Sequence, residues 1–265
     1  MYEFNYQKAA SVADAAAKLG AAEDGRLLAG GQTLIAAMKL RLAAPSDVID
    51  LGGIATLRGI AAKGNGVTVG AMTTHADVAA SKEINQHIPA LATLAASIGD
   101  PMVRNKGTIG GSIANNDPAA DYPASLVGLG ATIKTHQREI PADEFFTGMF
   151  STALEPGEII ESVLFPKPKR AAYMKFSNPA SRYAIVGVFV ADTGKGVRVA
   201  VTGAGPCVFR VPEMEKALTA KFSPDAIAGI SVATDDLNSD MHASAGYRAH
   251  LISVMAKRAV EKALG

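Results

Sequence analysis

The sequence predicts an α+β protein built from more than one unit. Three observations carry that reading. The chain has 265 residues, 48% of them hydrophobic and 19% charged, enough to bury more than one core. Short apolar runs of strand length alternate with amphipathic stretches of helix length. A charged, proline-rich stretch, Pro166-Lys167-Pro168-Lys169-Arg170, interrupts that pattern and reads as a linker.

Residues 1–55 read as a small α/β unit. Ser11 is placed to cap a helix running to about Leu19, with Val12, Ala15, Ala16 and Leu19 on one face. Arg26 to Ala29 is a strand, Thr33 to Leu42 has helical spacing at Leu34, Ala37, Met38 and Arg41, and Val48 to Leu51 is a second strand. From Leu57 the pattern changes to a hairpin, with Asn65-Gly66 as its turn and Val67 to Val69 as its return strand. Thr74 is a helix cap, and Pro89 to Ile98 is an apolar helix. Pro123 breaks any continuous helix between Pro118 and Leu129. Ala131 to Thr135 and Ile159 to Phe165 are strands. Past the linker, Tyr173 to Phe176, Ala184 to Ala191 and Gly196 to Thr202 form three antiparallel strands, followed by helices over Pro212 to Lys221 and Ala245 to Leu264.

Charge and cysteine usage exclude several classes. The 26 basic and 25 acidic residues leave a net charge of +1 with no basic block, which excludes a nucleic-acid partner. No apolar run is long enough to span a membrane, and Met1 to Tyr6 lacks the basic-then-apolar order of a leader. Cys207 is the only cysteine, so this chain alone builds no disulfide, no iron–sulfur cluster and no structural zinc. A reducing cytoplasm fits that usage.

Two segments with paired glycines stand out: Ala29-Gly30-Gly31-Gln32-Thr33-Leu34 and Thr108-Ile109-Gly110-Gly111-Ser112-Ile113-Ala114-Asn115-Asn116-Asp117. Paired glycines permit positive φ and let a ligand approach the backbone with no Cβ in the way. Amides in such a turn can point at anionic oxygens. Two such loops point to one large ligand held in two places, a dinucleotide being the prime candidate. For the first, a plain strand–helix turn is the alternative, with Gln32 and Thr33 as reasons to prefer an anion cradle. The second ends in Asn115, Asn116 and Asp117, with Asp121 and Tyr122 one turn later. These residues fit either an Asx-rich turn in which Asp117 caps the next helix, or a cluster for ribityl and ribose hydroxyls.

Neither segment matches the phosphate loop of nucleotide hydrolases or the G-x-G-x-x-G fingerprint. Gly203-Ala204-Gly205 imitates the start of that fingerprint but lacks its third glycine, so it reads as a strand-end turn. No catalytic constellation emerges. His75, His87, His136, His242 and His250 lack metal-ligand spacing and read as surface or helix-start residues. No metal site and no catalytic residue is assigned. Asp235, Asp236 and Asp240 read as a solvated acidic loop, and Lys175 and Arg182 as solvated cations or as partners of an anionic cofactor.

These residues resemble a known family, the FAD-binding medium subunits of molybdenum hydroxylases, in the branch of aerobic carbon monoxide dehydrogenase and xanthine dehydrogenase. Ala29 to Leu34 with Met38-Lys39-Leu40-Arg41 resembles its first flavin motif, and Thr108 to Pro123 the second. Lys175-Phe176, Pro179 to Val188 and Val201 to Gly205 are similar to the same branch, so the likeness runs nearly end to end. It implies a vanillyl-alcohol-oxidase (PCMH)-type FAD-binding domain over 1–170, with subdomains of about 1–55 and 56–170, and a C-terminal α+β domain over 171–265.

The resemblance further implies that FAD contacts Ala29, Gly30, Gly31, Gln32, Thr33 and Leu34, then Thr108, Ile109, Gly110, Gly111, Ser112, Asn115, Asp117 and Asp121. Both glycine segments would grip the pyrophosphate through backbone amides. Ile160 and Lys175 would lie near the flavin ring and Tyr183 would pack on it. Ser112 stands where many members have Asn. Implied partners are an iron–sulfur small subunit with two [2Fe–2S] clusters and a large subunit with the molybdenum cofactor, as a heterotrimer doubled to a heterohexamer. The implied role is cytoplasmic electron relay to an external acceptor, quinone or NAD. Two rival readings are a self-contained flavoprotein oxidoreductase and a structural subunit that has lost FAD.

Overall fold

A computed structural model describes residues 1–265. The first unit is a sheet of three parallel strands in the order Asn5–Lys8, Asp47–Asp50, Gly25–Leu28. Val48 and Ile49 of the central strand are buried, and the helix Val12–Ala21 covers the sheet with Ala15 in the core. The Ser11 hydroxyl accepts from the amide of Asp14, as its position predicts. The first glycine segment leaves the carboxyl end of Gly25–Leu28 and enters a short helix, Leu34–Lys39, which stops well before the expected Leu42. That end of a parallel sheet is where α/β units commonly place ligands.

The middle unit is a five-stranded antiparallel sheet in the order Ile60–Lys63, Gly66–Gly70, Ile160–Pro166, Thr132–Thr135, Glu139–Pro141. Its first hairpin turns at Gly64 and Asn65, because Lys63 already pairs with Gly66; the positive φ is at Gly64, +55°. Between the second and fourth of these strands the chain inserts a helical layer, including His75–Ala80, Pro89–Ala96, Ile109–Asn115 and Tyr122–Leu129. Thr74 and Asp77 form a capping box at the start of the first of these. No continuous helix runs from Pro118 to Leu129; the helix starts at Tyr122, and Pro123 marks its beginning. It sits in the first turn of Tyr122–Leu129, where its missing N–H costs nothing, and every residue of that helix is buried.

The third unit is a four-stranded antiparallel sheet, Arg170–Ser177, Ala184–Asp192, Val197–Thr202 and Phe209–Arg210, in sequence order. The strand Ala184–Asp192 is buried on both faces, which explains its unbroken apolar run. Phe189 and Ala191 face the middle unit, while Val186, Val188 and Val190 face the helices Pro212–Ala220 and Ala245–Leu264. A Cβ on Gly128 would come within 2.8 Å of the Phe189 ring, so that helix lies directly on the sheet. The Pro166–Arg170 stretch is not a free linker. Lys167 donates to the Asn65 carbonyl and Lys169 to the Asp192 carbonyl, and the next strand begins at Arg170.

Candidate binding cleft

The two glycine segments meet. A Cβ on Gly30 would lie 2.2 Å from the Lys106 carbonyl oxygen, so the first segment rests on the backbone just before the second. Gly31 takes φ +71°, the left-handed turn that a glycine serves. The amides of Gly30, Gly31, Gln32, Thr33 and Leu34 have no acceptor within the chain. Five successive donors without partners, around one left-handed residue, are available to an anion.

The second segment differs from expectation. Its glycines are not in a loop; they lie in the first turn of the helix Ile109–Asn115, capped by Thr108. The first-turn amides are already used. Ile109 donates to the Thr73 carbonyl, Gly110 to the Ala71 carbonyl, Gly111 to the Thr108 hydroxyl and Ser112 to the Thr108 carbonyl. Gly110 is required by packing, since a Cβ there would sit 2.7 Å from the Ala71 oxygen. The helix ends at Asn116, φ +43°, whose side-chain amide donates to the carbonyls of Gly148 and Ser151. Asp117 does not cap the next helix; its carboxylate accepts from Ala119 N, an Asx turn.

Between the segments opens a cleft of about 730 Å³, in the size range of sites for large cofactors. It is lined by Ala29, Gly30, Gly31, Gln32, Thr33 and Leu34 from the first segment. Thr108, Gly110, Gly111, Ser112, Asn115, Asp117 and Asp121 line it from the second, and Ile160 and Tyr183 close it toward the third unit. Ile109 does not reach the cleft; its side chain is fully buried in the middle core.

Lys175 does not line it either, and it is not solvated. It lies behind Asp121, 3.0 Å from its carboxylate, with both side chains 5% exposed, and also donates to the Ser97 carbonyl. Tyr173 donates to the same carboxylate. Burial raises the Asp121 pKa, and Lys175 and Tyr173 oppose that rise. Tyr183 stands half exposed on a tight loop tied by Asn178, whose carboxamide oxygen accepts from Ala180 N and Ser181 N. Arg182, beside it, takes φ +62°.

The structure adds residues that the sequence reading passed over. His75 is not a surface residue. It is 4% exposed and lines the cleft, and burial followed by the nearby Arg104 lowers its pKa to about 4. Its place at the first helical position after Thr74 was visible in sequence, but its burial against Gly107 depends on long-range folding. Glu158 also lines the cleft, held by Arg138, Thr135 and the Glu155 amide, and Arg138 first among these lowers its pKa to about 2. Asp240 is no free acid in the acidic loop, since it accepts from the buried Arg248 at 2.6 Å. No group of His, Cys, Asp and Glu is arranged to hold a metal ion. No helix is long and apolar enough to cross a membrane.

Two known families match the chain nearly end to end. Residues 2–168 match the family described as the FAD binding domain in molybdopterin dehydrogenase. Residues 171–263 match the CO dehydrogenase flavoprotein C-terminal domain. The nicotine 6-hydroxylase medium subunit of Paenarthrobacter nicotinovorans is 36% identical over 272 residues, covering 97% of this chain and 96% of that one. The carbon monoxide dehydrogenase medium chain of Hydrogenophaga pseudoflava is 35% identical over 277 residues, covering 98% and 96%. A crystal structure of the Cu,Mo-CO dehydrogenase in its cyanide-inactivated form superposes with a TM-score of 0.90 at 33% identity, covering 99% of this chain and 98% of that one.

Proposed function

The chain belongs to the FAD-binding medium subunits of the molybdenum hydroxylases, and from that premise we propose that it holds one FAD in the cleft and relays electrons from an iron–sulfur partner to an external acceptor. The observation that carries the proposal is the row of five unpartnered amides at Gly30 to Leu34. They supply donors for a pyrophosphate with no charged side chain among them.

The residues present fit that group. Gly31 turns the chain at the cleft, and Gly111 lines it where a Cβ would press on the capping Thr108 Oγ1 at 3.0 Å and meet Ala29 Cβ at 3.5 Å. Ser112, Asn115 and Asp117 supply side-chain partners for hydroxyls, because the helix amides beside them are already used. Ile160 and Tyr183 supply the apolar and aromatic wall at the junction with the third unit, the place suited to a flat ring. Lys175 acts through Asp121, fixing its carboxylate from behind. FAD, when bound, supplies the one- and two-electron chemistry, and the protein's part is binding, orientation and electrostatics.

Membership among medium subunits supports partner small and large subunits; we propose that these are an iron–sulfur and a molybdopterin subunit, in a heterotrimer doubled to a heterohexamer in the cytoplasm. The acceptor is a quinone or NAD. The substrate of the complex belongs to the large subunit, and nothing in this chain selects it.

The test is the visible spectrum of the purified full chain, with release and identification of its chromophore and titration of stripped protein with FAD. Flavin bands and stoichiometric FAD are expected. Gly111→Val should lose FAD, because the added bulk stands on the cleft wall between Ala29 and Thr108, with circular dichroism checking that the variant folds. Colourless protein that takes up no FAD would overturn the proposal.

A further inference from the structure

The cleft extends beyond the two glycine segments onto the first unit, where Leu27, Ala37, Leu42 and Pro45 line it beside Asp24 and Arg26. Leu42 stands in that wall and is nevertheless 79% exposed. Backbone geometry puts it there. The helix Leu34–Lys39 closes with two back-bonds: the Leu42 amide donates to the Ala37 carbonyl at 2.8 Å, and the Arg41 amide to the Met38 carbonyl at 3.1 Å. Such a closure needs a left-handed residue, usually glycine, and here it is Arg41 with φ +61°. The far end of the segment is tied as well. Ser46 N donates to the Asp24 carbonyl and the Ser46 hydroxyl accepts from Asp24 N, both at 3.0 Å. A large apolar side chain is thus held open to the cleft, on a segment fixed at both ends, by a conformation unfavourable to the arginine that precedes it.

We infer that this wall is the seat of the adenine ring, with Leu42 packing on one of its faces. The inference rests on the FAD reading above. That reading gives the flavin ring to Ile160 and Tyr183, on the middle and third units, which leaves the first-unit wall for the other end of the dinucleotide. An anionic occupant would need an unpaired cation there. The cation this wall carries, Arg26, is paired with Asp24 at 3.1 Å. A flat heteroaromatic ring suits the wall instead, because its faces cover apolar side chains while its polar edge stays in the open mouth. Covering Leu42 removes apolar surface from water, and the segment that carries it is already fixed, so little ordering is lost on binding. Part of the affinity for the cofactor therefore lies in a side chain outside both glycine segments.

The experiment titrates FAD and ADP separately into the full chain stripped of flavin, for wild type, Leu42→Ala and Leu42→Met, with circular dichroism checking that the variants fold. ADP carries the adenine and two phosphates without the flavin. In parallel, the wild-type Leu42 methyl resonances are followed by NMR as ADP is added. Leu42→Ala should weaken FAD and ADP alike by about tenfold, the worth of about two buried methylene groups. Leu42→Met should recover most of that loss, the methyl resonances should move, and FAD bound first should block ADP. If Leu42→Ala does not fold, the methyl resonances decide alone, and stillness overturns the inference. Wild type that binds FAD but no ADP, or that binds ADP beside bound FAD, overturns it too, as does Leu42→Ala with unchanged affinity for either ligand; each of these results leaves the FAD reading standing. Wild type that takes up no FAD overturns both.

Discussion

His75 makes the fold sensitive to acid, and the sign follows from its environment. In the folded chain its pKa is lowered to about 4, while an unfolded histidine titrates near about 6.5. Below that upper value the unfolded state takes up a proton that the folded state refuses. Stability is therefore full above the unfolded pKa and falls as pH drops toward the folded one, by about 3 kcal/mol in all. Glu158 adds a second loss at lower pH. Its carboxylate, held by Arg138, stabilises the fold above the ordinary glutamate range, and that contribution disappears as pH falls toward about 2. Urea denaturation at a series of pH values should show wild type weakening between about pH 6.5 and 4, with His75→Phe distinctly shallower across that window. Equal slopes for the two proteins would contradict the assignment. None of this was legible in sequence. A histidine after a capping threonine reads as exposed, and only the close approach of Gly107 and Tyr122 buries it.

At the scale of elements, what was legible was local. Ser11 and Thr74 announce their helices because a cap acts within three residues, and the strand Ala184–Asp192 announces itself by composition. The second glycine segment was misread as a loop because glycine is a poor helix former. Tertiary bonds override that propensity: Thr73 and Ala71 take its first amides, and Thr108 takes the next two. The helix Ile109–Asn115 should thus depend heavily on its cap. Thr108→Ala is expected to cost about 1–2 kcal/mol and Thr108→Ser only a fraction of that. Denaturant midpoints, with amide exchange at Gly111 as the local probe, measure both. The hairpin turn was displaced by one residue for a similar reason. Both glycines flanking Asn65 can serve a turn, and strand register, set by the paired strands, selects Gly64.

At the scale of the whole molecule, the middle and third units are joined through charge as well as through apolar packing. Lys175 on the strand Arg170–Ser177 reaches Asp121 at the start of the helix Tyr122–Leu129, and both side chains are almost completely buried. Removing one partner leaves an uncompensated group. Lys175→Met is expected to cost about 3–5 kcal/mol, and Lys175→Met with Asp121→Asn distinctly less, a coupling that a double-mutant cycle by urea denaturation would read. Sequence could mark both residues but could not pair them across the 54 positions that separate them. It was for the same reason silent on the contact of Gly30 with Lys106, which brings the two glycine segments together. The cradle at Gly30 to Leu34 has one more consequence. On the proposed reading it would hold an anion with peptide dipoles alone, since Gly30 to Leu34 contain no lysine or arginine, while Arg26 and Arg182 line the cleft elsewhere. Dissolved ions screen charges acting across exposed surface and leave short contacts in a sheltered cleft nearly untouched. FAD retention should therefore be the same in dilute buffer and in molar salt, as gel filtration followed by flavin absorbance would show. Acid or urea, which act on the fold itself, should strip the flavin where ionic strength does not.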